Sequence, residues 1–360
     1  MTPLFKVSKP ERHFFDKLSD IENYAFGENC LKFQEKLQQF FQVERAFVTN
    51  SYSSAWLSLI DALNLTGDDE IIATPMACVA STQPLARTKA SLTWCDVNAR
   101  SGVMSTGGLK EVISKKTKVV VVNLFCGYVP DLKSIYNVAK ENGALVILDL
   151  IEGLGSKYEN KYVGSEFCDV AVVSTEAVRI LNSNQGGALF VNNVNLQHSI
   201  SLCRDYGIDR SIFRGPSGEI NRQCDIKSIA LGNKQNEINA MFGLYHLPRF
   251  ETILQEYRTK AKCWDEVIGN VDVDLQEVEV IQSSSPNYWV YGILVLDIDE
   301  SIQWFRERGF YTSRIHLRND LYSIFKDSRR HLPGVDTFSS SFLAVPSGWW
   351  VSTEQIKSLI

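Results

Sequence analysis

The chain of 360 residues is long enough for about two domains and can bury a core without disulfide or metal staples. With 44% apolar and 22% charged residues it is not a disordered, collagen-like or coiled-coil sequence, and its net charge of -5 argues against nucleic-acid binding. Residues 1–15 hold no apolar run of signal-peptide length, and the longest apolar stretches are strand-sized, so a cytoplasmic protein with no membrane partner is expected.

From residue 45 onward, short apolar runs alternate with amphipathic stretches. The run AFVTN at 46–50 precedes a helical SSAWLSLIDALNL, EIIAT at 70–74 precedes a stretch reaching Leu85, and SLTWCDV at 91–97 precedes GLKEVISK. KVVVVNLF at 118–125 is followed by helical DLKSIYNVAKENG, and ALVILDL at 144–150 by a turn bearing glycine. Runs such as VVVV and LVIL are apolar on both faces, as a parallel strand covered by helices requires. CDVAVVS at 168–174 and GGALFVN at 186–192 add two more strands. The alternation predicts an open α/β fold with a mostly parallel sheet. Residues 235–268 then read as a long helix, broken or bent near Pro248. The later segments WVYGILVLDI, SIQWFRERGF and TEQIKSLI read as a smaller α+β domain. The expected division is a large domain at 1–245, with an N-terminal helical arm, and a small one at 246–360.

Eight cysteines and five histidines are scattered without a CxxC pair or a Cys/His cluster, so the thiols read as apolar fillers and no metal site is expected. No GxGxxG or GxxxxGKS follows any strand, which removes the dinucleotide and P-loop readings. In open α/β sheets, ligands bind beyond the carboxyl ends of the strands. Ser51, Ser53 and Ser54 open a helix there, and hydroxyls with free N–H groups at a helix start suit a phosphate, although the same serines serve equally as caps. Asp149 ends an apolar strand, where a carboxylate needs a cation or hydrogen-bond donors, or else forms a turn. An anion pocket and a strand-end carboxylate can hold the two ends of pyridoxal phosphate (PLP), which also needs a lysine for its Schiff base.

The segments VTNSYSSAWLSLIDALNL, VVVVNLFCGYVPDLKSI, GALVILDLIEGLGSKYENKYVGS, STEAVRILNSNQGGALFV, ALGNKQNEINAMFGLYHL, TSRIHLRND and VPSGWWVSTEQI resemble, in order and spacing, the DegT/DnrJ/EryC1/StrS sugar aminotransferases. The resemblance covers nearly the whole chain. It implies a fold-type-I PLP-transferase fold, a nucleotide-linked sugar as ligand, surface-polysaccharide biosynthesis as setting, and a homodimer or a heterodimer with a related aminotransferase. It places Asp149 at the pyridinium carboxylate, Ser53, Ser54 and Ser174 around the phosphate, Glu152 at a glutamine near the ring hydroxyl, and Cys78 near the aromatic that stacks on the ring. Asn233, or Gly232 beside it, falls where the family reaches across the dimer interface, and Arg314 and His316 fall in a segment that faces the sugar nucleotide.

Arg179 occupies the Schiff-base position, and no lysine occurs from Tyr162 to Ile226. Deprotonating an arginine at neutral pH needs roughly 7 kcal/mol, so Arg179 serves neither as an imine nucleophile nor as a proton shuttle. The expected role is a fixed cation facing the cofactor pocket, where it holds a phosphate or carboxylate or pairs with Glu152 or Asp149. The phosphate turn also carries Tyr52 where the family has glycine. Three readings follow: a nucleotide-sugar enzyme with non-standard chemistry, holding PLP or pyridoxamine phosphate without a covalent bond or holding neither; a catalytically inactive paralogue that binds a sugar nucleotide or complements an active partner; and a standard PLP transaminase, which requires a distant lysine to enter the site or Arg179 to be an engineered change.

Overall fold

The computed structural model describes residues 1–271 and 273–360. An N-terminal arm with helix α1 (Arg12–Asp16) leads into α2 (Glu28–Phe41). Strand β1 (Ala46–Thr49) is followed by α3 (Tyr52–Leu63), β2 (Glu70–Ala73) by α4 (Val79–Thr82), β3 (Ser91–Trp94) by α5 (Thr106–Val112), and β4 (Thr117–Asn123) by α6 (Leu132–Glu141). Then come β5 (Leu145–Leu150), the small hairpin β6 (Lys157–Tyr158) and β7 (Lys161–Tyr162), β8 (Val170–Ser174), β9 (Gly187–Val191) and α7 (Val194–Cys203). Each of the seven expected strands forms.

Helix α3 shows how the sequence sets these elements. Ser51, in extended backbone, accepts from the Ser54 amide at 3.1 Å and so starts the helix, while left-handed Asn64 (φ 46°) ends it. Between them Tyr52, Ala55, Trp56 and Leu59 recur at helical spacing, and all four are buried against the sheet. Complete burial of a side chain the size of Leu59 contributes about 1.5–3 kcal/mol.

The strands assemble in the order β1-β9-β8-β5-β4-β2-β3. β3, β2, β4, β5 and β8 run parallel, and β1 and β9 are antiparallel to their neighbours. The segment 175–186 between β8 and β9 contains no crossover helix, and without one the chain can only turn back antiparallel. The fold class is the α/β architecture expected.

Helix α8 (Glu237–His246) and helix α9 (Phe250–Ile268) are separated by a tight turn at Leu247–Arg249, so the long helical segment breaks at Pro248. Next come β10 (Leu275–Glu277), β11 (Ser284–Ser285), β12 (Tyr291–Val295), α10 (Ile298–Glu307), α11 (Pro333–Ser341), β13 (Phe342–Val345) and α12 (Thr353–Lys357). β10, β12 and β13 form a separate antiparallel sheet. Helix α9 belongs to two cores: Phe250, Leu254 and Tyr257 pack in the large one, and Ala261, Cys263, Trp264 and Val267 in the small one. Trp289, Val290, Phe325 and Phe338, late in the chain, return to the large core. The two cores therefore do not divide at a single point near residue 245. Among the described residues, no helix is long and apolar enough to cross a membrane.

Candidate functional site

The strand order brings the ends of β1, β8, β5 and β4 to one rim of the sheet. Thr49 and Ser174 both pair with Gly187, one from each side, so the start of α3 and the end of β8 lie about 10 Å apart, two strand spacings. A Cβ on Gly187 would lie 2.7 Å from the Ser51 carbonyl oxygen and 2.8 Å from the Tyr52 Cα. Glycine is needed here because the first turn of α3 rests directly on the sheet.

Asp149 stands at the end of β5, 1% exposed. Its Oδ1 accepts from the Tyr52 hydroxyl at 2.6 Å and from the Ile151 amide at 3.1 Å, and its Oδ2 from the Asn123 side-chain amide at 2.5 Å. The Tyr52 oxygen also accepts from Trp56 Nε1 at 2.7 Å and lies 2.9 Å from Ser81 Oγ. Burial pushes the Asp149 carboxyl above its ordinary value, against the opposing pull of hydrogen bonds from Ser81, Tyr52 and the Ile151 amide. Burial and the Asp149 charge push the Tyr52 phenol up as well, which keeps it protonated and donating.

Glu152, three residues on, is 3% exposed. Its Oε1 lies 2.5 Å from His316 Nε2, and its Oε2 accepts from the Cys126 amide at 2.8 Å. Burial alone would raise its carboxyl, but His316, the Arg179 charge and the Cys126 amide hold it below the ordinary carboxylate range. A carboxylate with a lowered folded value stabilises the protein above its unfolded value, near pH 4.3, and that stabilisation is lost as pH falls through the folded value. We therefore expect E152Q to lower stability by about 1–3 kcal/mol at neutral pH. Urea melts should show the gap closing in acid, below about pH 4, and a gap that persists there would mean the charge contributes nothing.

Arg179 does not pair with either carboxylate as expected. Its guanidinium lies 4.4 Å over the Trp289 ring, and its buried Nε and Nη1 atoms have no hydrogen-bond partner among the described residues. The carboxylate oxygens are already engaged, by His316 and Cys126 on one side and by Tyr52, Ile151 and Asn123 on the other, and a planar guanidinium stacks well on indole. Trp289 is fixed in turn by Phe5, stacked at 4.4 Å, and by its Nε1 donating to the Val178 carbonyl at 3.0 Å. Cys78 precedes α4, half-buried, with burial and the Glu152 charge pushing its thiol up to about 11. The thiol therefore stays neutral, and it offers no aromatic face.

Ser174 ends β8, 1% exposed, with its Oγ 3.5 Å from the Glu176 amide. Ser53 is exposed on the first turn of α3, while Ser54 is tied to the cap through Ser51 Oγ at 2.9 Å. Two further expected site residues have partners within the chain. Asn233, which was to reach across a dimer interface, is 4% exposed and donates to Ser58 Oγ at 3.0 Å within its own chain. Arg314 points outward, 3.7 Å from exposed Asp299, while His316 turns in to Glu152. Between them Ile315 adopts a left-handed conformation (φ 63°), which breaks the alternation that would have aimed both the same way.

Sequence reasoning did not find Asn123, Ser81 or Trp289. Asn123 had a signal: it ends the apolar run VVVVN and pairs directly across from Asp149. Ser81 and Trp289 had none.

The family model of the DegT/DnrJ/EryC1/StrS aminotransferase family matches residues 8–360. The chain belongs to this family. It is 28% identical over 272 residues to the UDP-4-amino-4,6-dideoxy-N-acetyl-beta-L-altrosamine transaminase of Helicobacter pylori, covering 75% of this chain and 69% of that protein. It is 26% identical over 277 residues to the GDP-perosamine synthase of Escherichia coli O157:H7, covering 76% and 71%. In structure it resembles the sugar aminotransferase CalS13 from Micromonospora echinospora, with a TM-score of 0.91 at 24% identity over 99% of this chain and 100% of that one. Helicobacter pylori PseC, an aminotransferase of pseudoaminic acid biosynthesis, superposes with a TM-score of 0.89 at 21% identity over 99% and 96%.

A PLP site of this family needs a carboxylate open to the pyridinium and a lysine at the imine position. The residues here do not fit that group. The one oxygen of Asp149 that faces the start of α3 is taken by Tyr52, and the loop after β8 offers Arg179 and no lysine.

Proposed function

We propose that this protein binds a nucleotide-linked sugar of glycan biosynthesis at the rim formed by Ser53, Ser174, Arg179 and the Glu152–His316 pair, and performs no amino transfer through a lysine imine. The observation that carries this reading is Arg179, a permanent cation with two buried, unpartnered nitrogen atoms at the place where the family resemblance puts the Schiff-base lysine. Such a group holds phosphate or carboxylate by charge and by its donor fork. Ser53 lies on the first turn of a twelve-residue helix, whose positive end favours the same anion. Glu152 Oε1 and His316 Nε2 lie 2.5 Å apart at the same rim, and the Arg179 charge reaches Glu152. The relatives' names supply the ligand class, since one acts on a UDP-sugar and another makes a GDP-sugar.

Calorimetry with UDP, GDP and dTDP tests the reading. One of the three should bind, and replacing Ser53 and Ser174 together with alanine should weaken it by about tenfold, the loss of one to two hydrogen bonds to a charged group. Equal binding by the double variant would mean that the serines only cap and fill, and no binding of any of the three would remove the proposal.

A further inference from the structure

We propose that the phenol of Tyr52 occupies the place of the cofactor's pyridine ring, so that the protein carries a built-in substitute for PLP and excludes the free cofactor. This deepens the reading above, on which it rests for the identity of the site.

A cofactor with its phosphate at the start of α3 and its ring nitrogen on Asp149 must lay its ring across β9 and β8, the two strands that separate β1 from β5. Tyr52 spans that same ground. Its Cα sits on Gly187 of β9, level with Ser174 of β8, and its hydroxyl ends 2.6 Å from Asp149 Oδ1. A six-membered aromatic ring that donates one hydrogen bond from its edge to the carboxylate reproduces the contact a pyridinium N–H would make.

The substitute is fully bonded. The phenol oxygen gives its one proton to Asp149, accepts from Trp56 Nε1, and lies 2.9 Å from Ser81 Oγ. Tyr52 is 2% exposed, and Ser81 and Trp56 are 0% exposed. Displacing the ring would orphan Trp56 Nε1 in a dry interior. Glycine at residue 52 would remove both the ring and the bond, whereas Tyr52→Phe would keep the ring.

The test is PLP uptake by the whole protein, measured by equilibrium dialysis and by the cofactor's absorbance. The unaltered protein should take up no saturable PLP, and PLP should not raise its melting temperature. Tyr52→Gly and Tyr52→Ala should bind PLP at least about tenfold more tightly than the unaltered protein, and Tyr52→Phe should still exclude it. Stoichiometric PLP in the unaltered protein overturns the proposal. So do Gly and Ala variants that fold, judged by circular dichroism, and bind no more PLP than the parent. Should both small variants fail to fold, the melting-temperature response of the unaltered protein and of Tyr52→Phe decides the matter, since a rise with PLP in either means the ring does not fill the site. UDP, GDP and dTDP calorimetry on the same preparations separates the two claims: loss of nucleotide binding alone sinks the function proposed above, and PLP uptake alone sinks the plug.

Discussion

Borohydride reduction of the purified protein in the presence of PLP, followed by peptide mapping, should yield no pyridoxyl-lysine at any position. An imine needs a neutral amine, and the residue that the family resemblance places at the nucleophile position is Arg179, whose guanidinium keeps its proton at every physiological pH. No lysine occurs between Lys161 and Lys227 to stand in for it. Amino transfer from glutamate to a UDP-, GDP- or dTDP-linked keto sugar should accordingly remain at background. Restoring the amine is not enough, because the ring of Tyr52 still lies against Asp149. Arg179→Lys alone should therefore stay at least about a hundredfold below an ordinary family enzyme, the penalty for a misplaced reacting group. Arg179→Lys combined with Tyr52→Gly should give the reducible adduct that neither change gives alone. A pyridoxyl-lysine in the unaltered protein would reverse the functional reading and make this an ordinary transaminase.

Asp149→Ala should destabilise the fold by about 3 kcal/mol or more, since it strips the acceptor from the Tyr52 hydroxyl, the Asn123 amide and the Ile151 N–H, each worth about 1–3 kcal/mol when left buried and unpaired. Asp149→Asn keeps one acceptor oxygen and sheds a charge that burial disfavours, so it should fall between the two. Urea denaturation of Asp149→Ala, Tyr52→Phe and the double variant closes a thermodynamic cycle. The two residues share one bond in a dry site, so the cycle should return a coupling of about 1–2 kcal/mol, the double variant losing less than the sum of the singles. Additive losses would mean that the Tyr52–Asp149 bond does not form.

Much of this could be read from the chain, and the reason is locality. Strands such as VVVV and LVIL declare themselves because apolarity on both faces is a property of consecutive residues, and the break at Pro248 because proline lacks an N–H. The rule that ligands gather beyond strand ends pointed to Asp149 and the serines that open α3, and the chemical limit on Arg179 follows from the side chain itself. The tertiary structure decided everything that depends on which distant groups meet. Glu152 finds its partner in His316, 164 positions away, and not in Arg179, because the segment after Ser313 folds back over the rim with a left-handed Ile315 in it. Asn233 turns inward because Ser58 offers it a buried partner. Tyr52 is visible in the sequence only as a bulky residue where the family has glycine. That its hydroxyl ends on Asp149 depends on Gly187 admitting the first turn of α3 onto the sheet, a contact between segments that are far apart in sequence and meet only through the strand order.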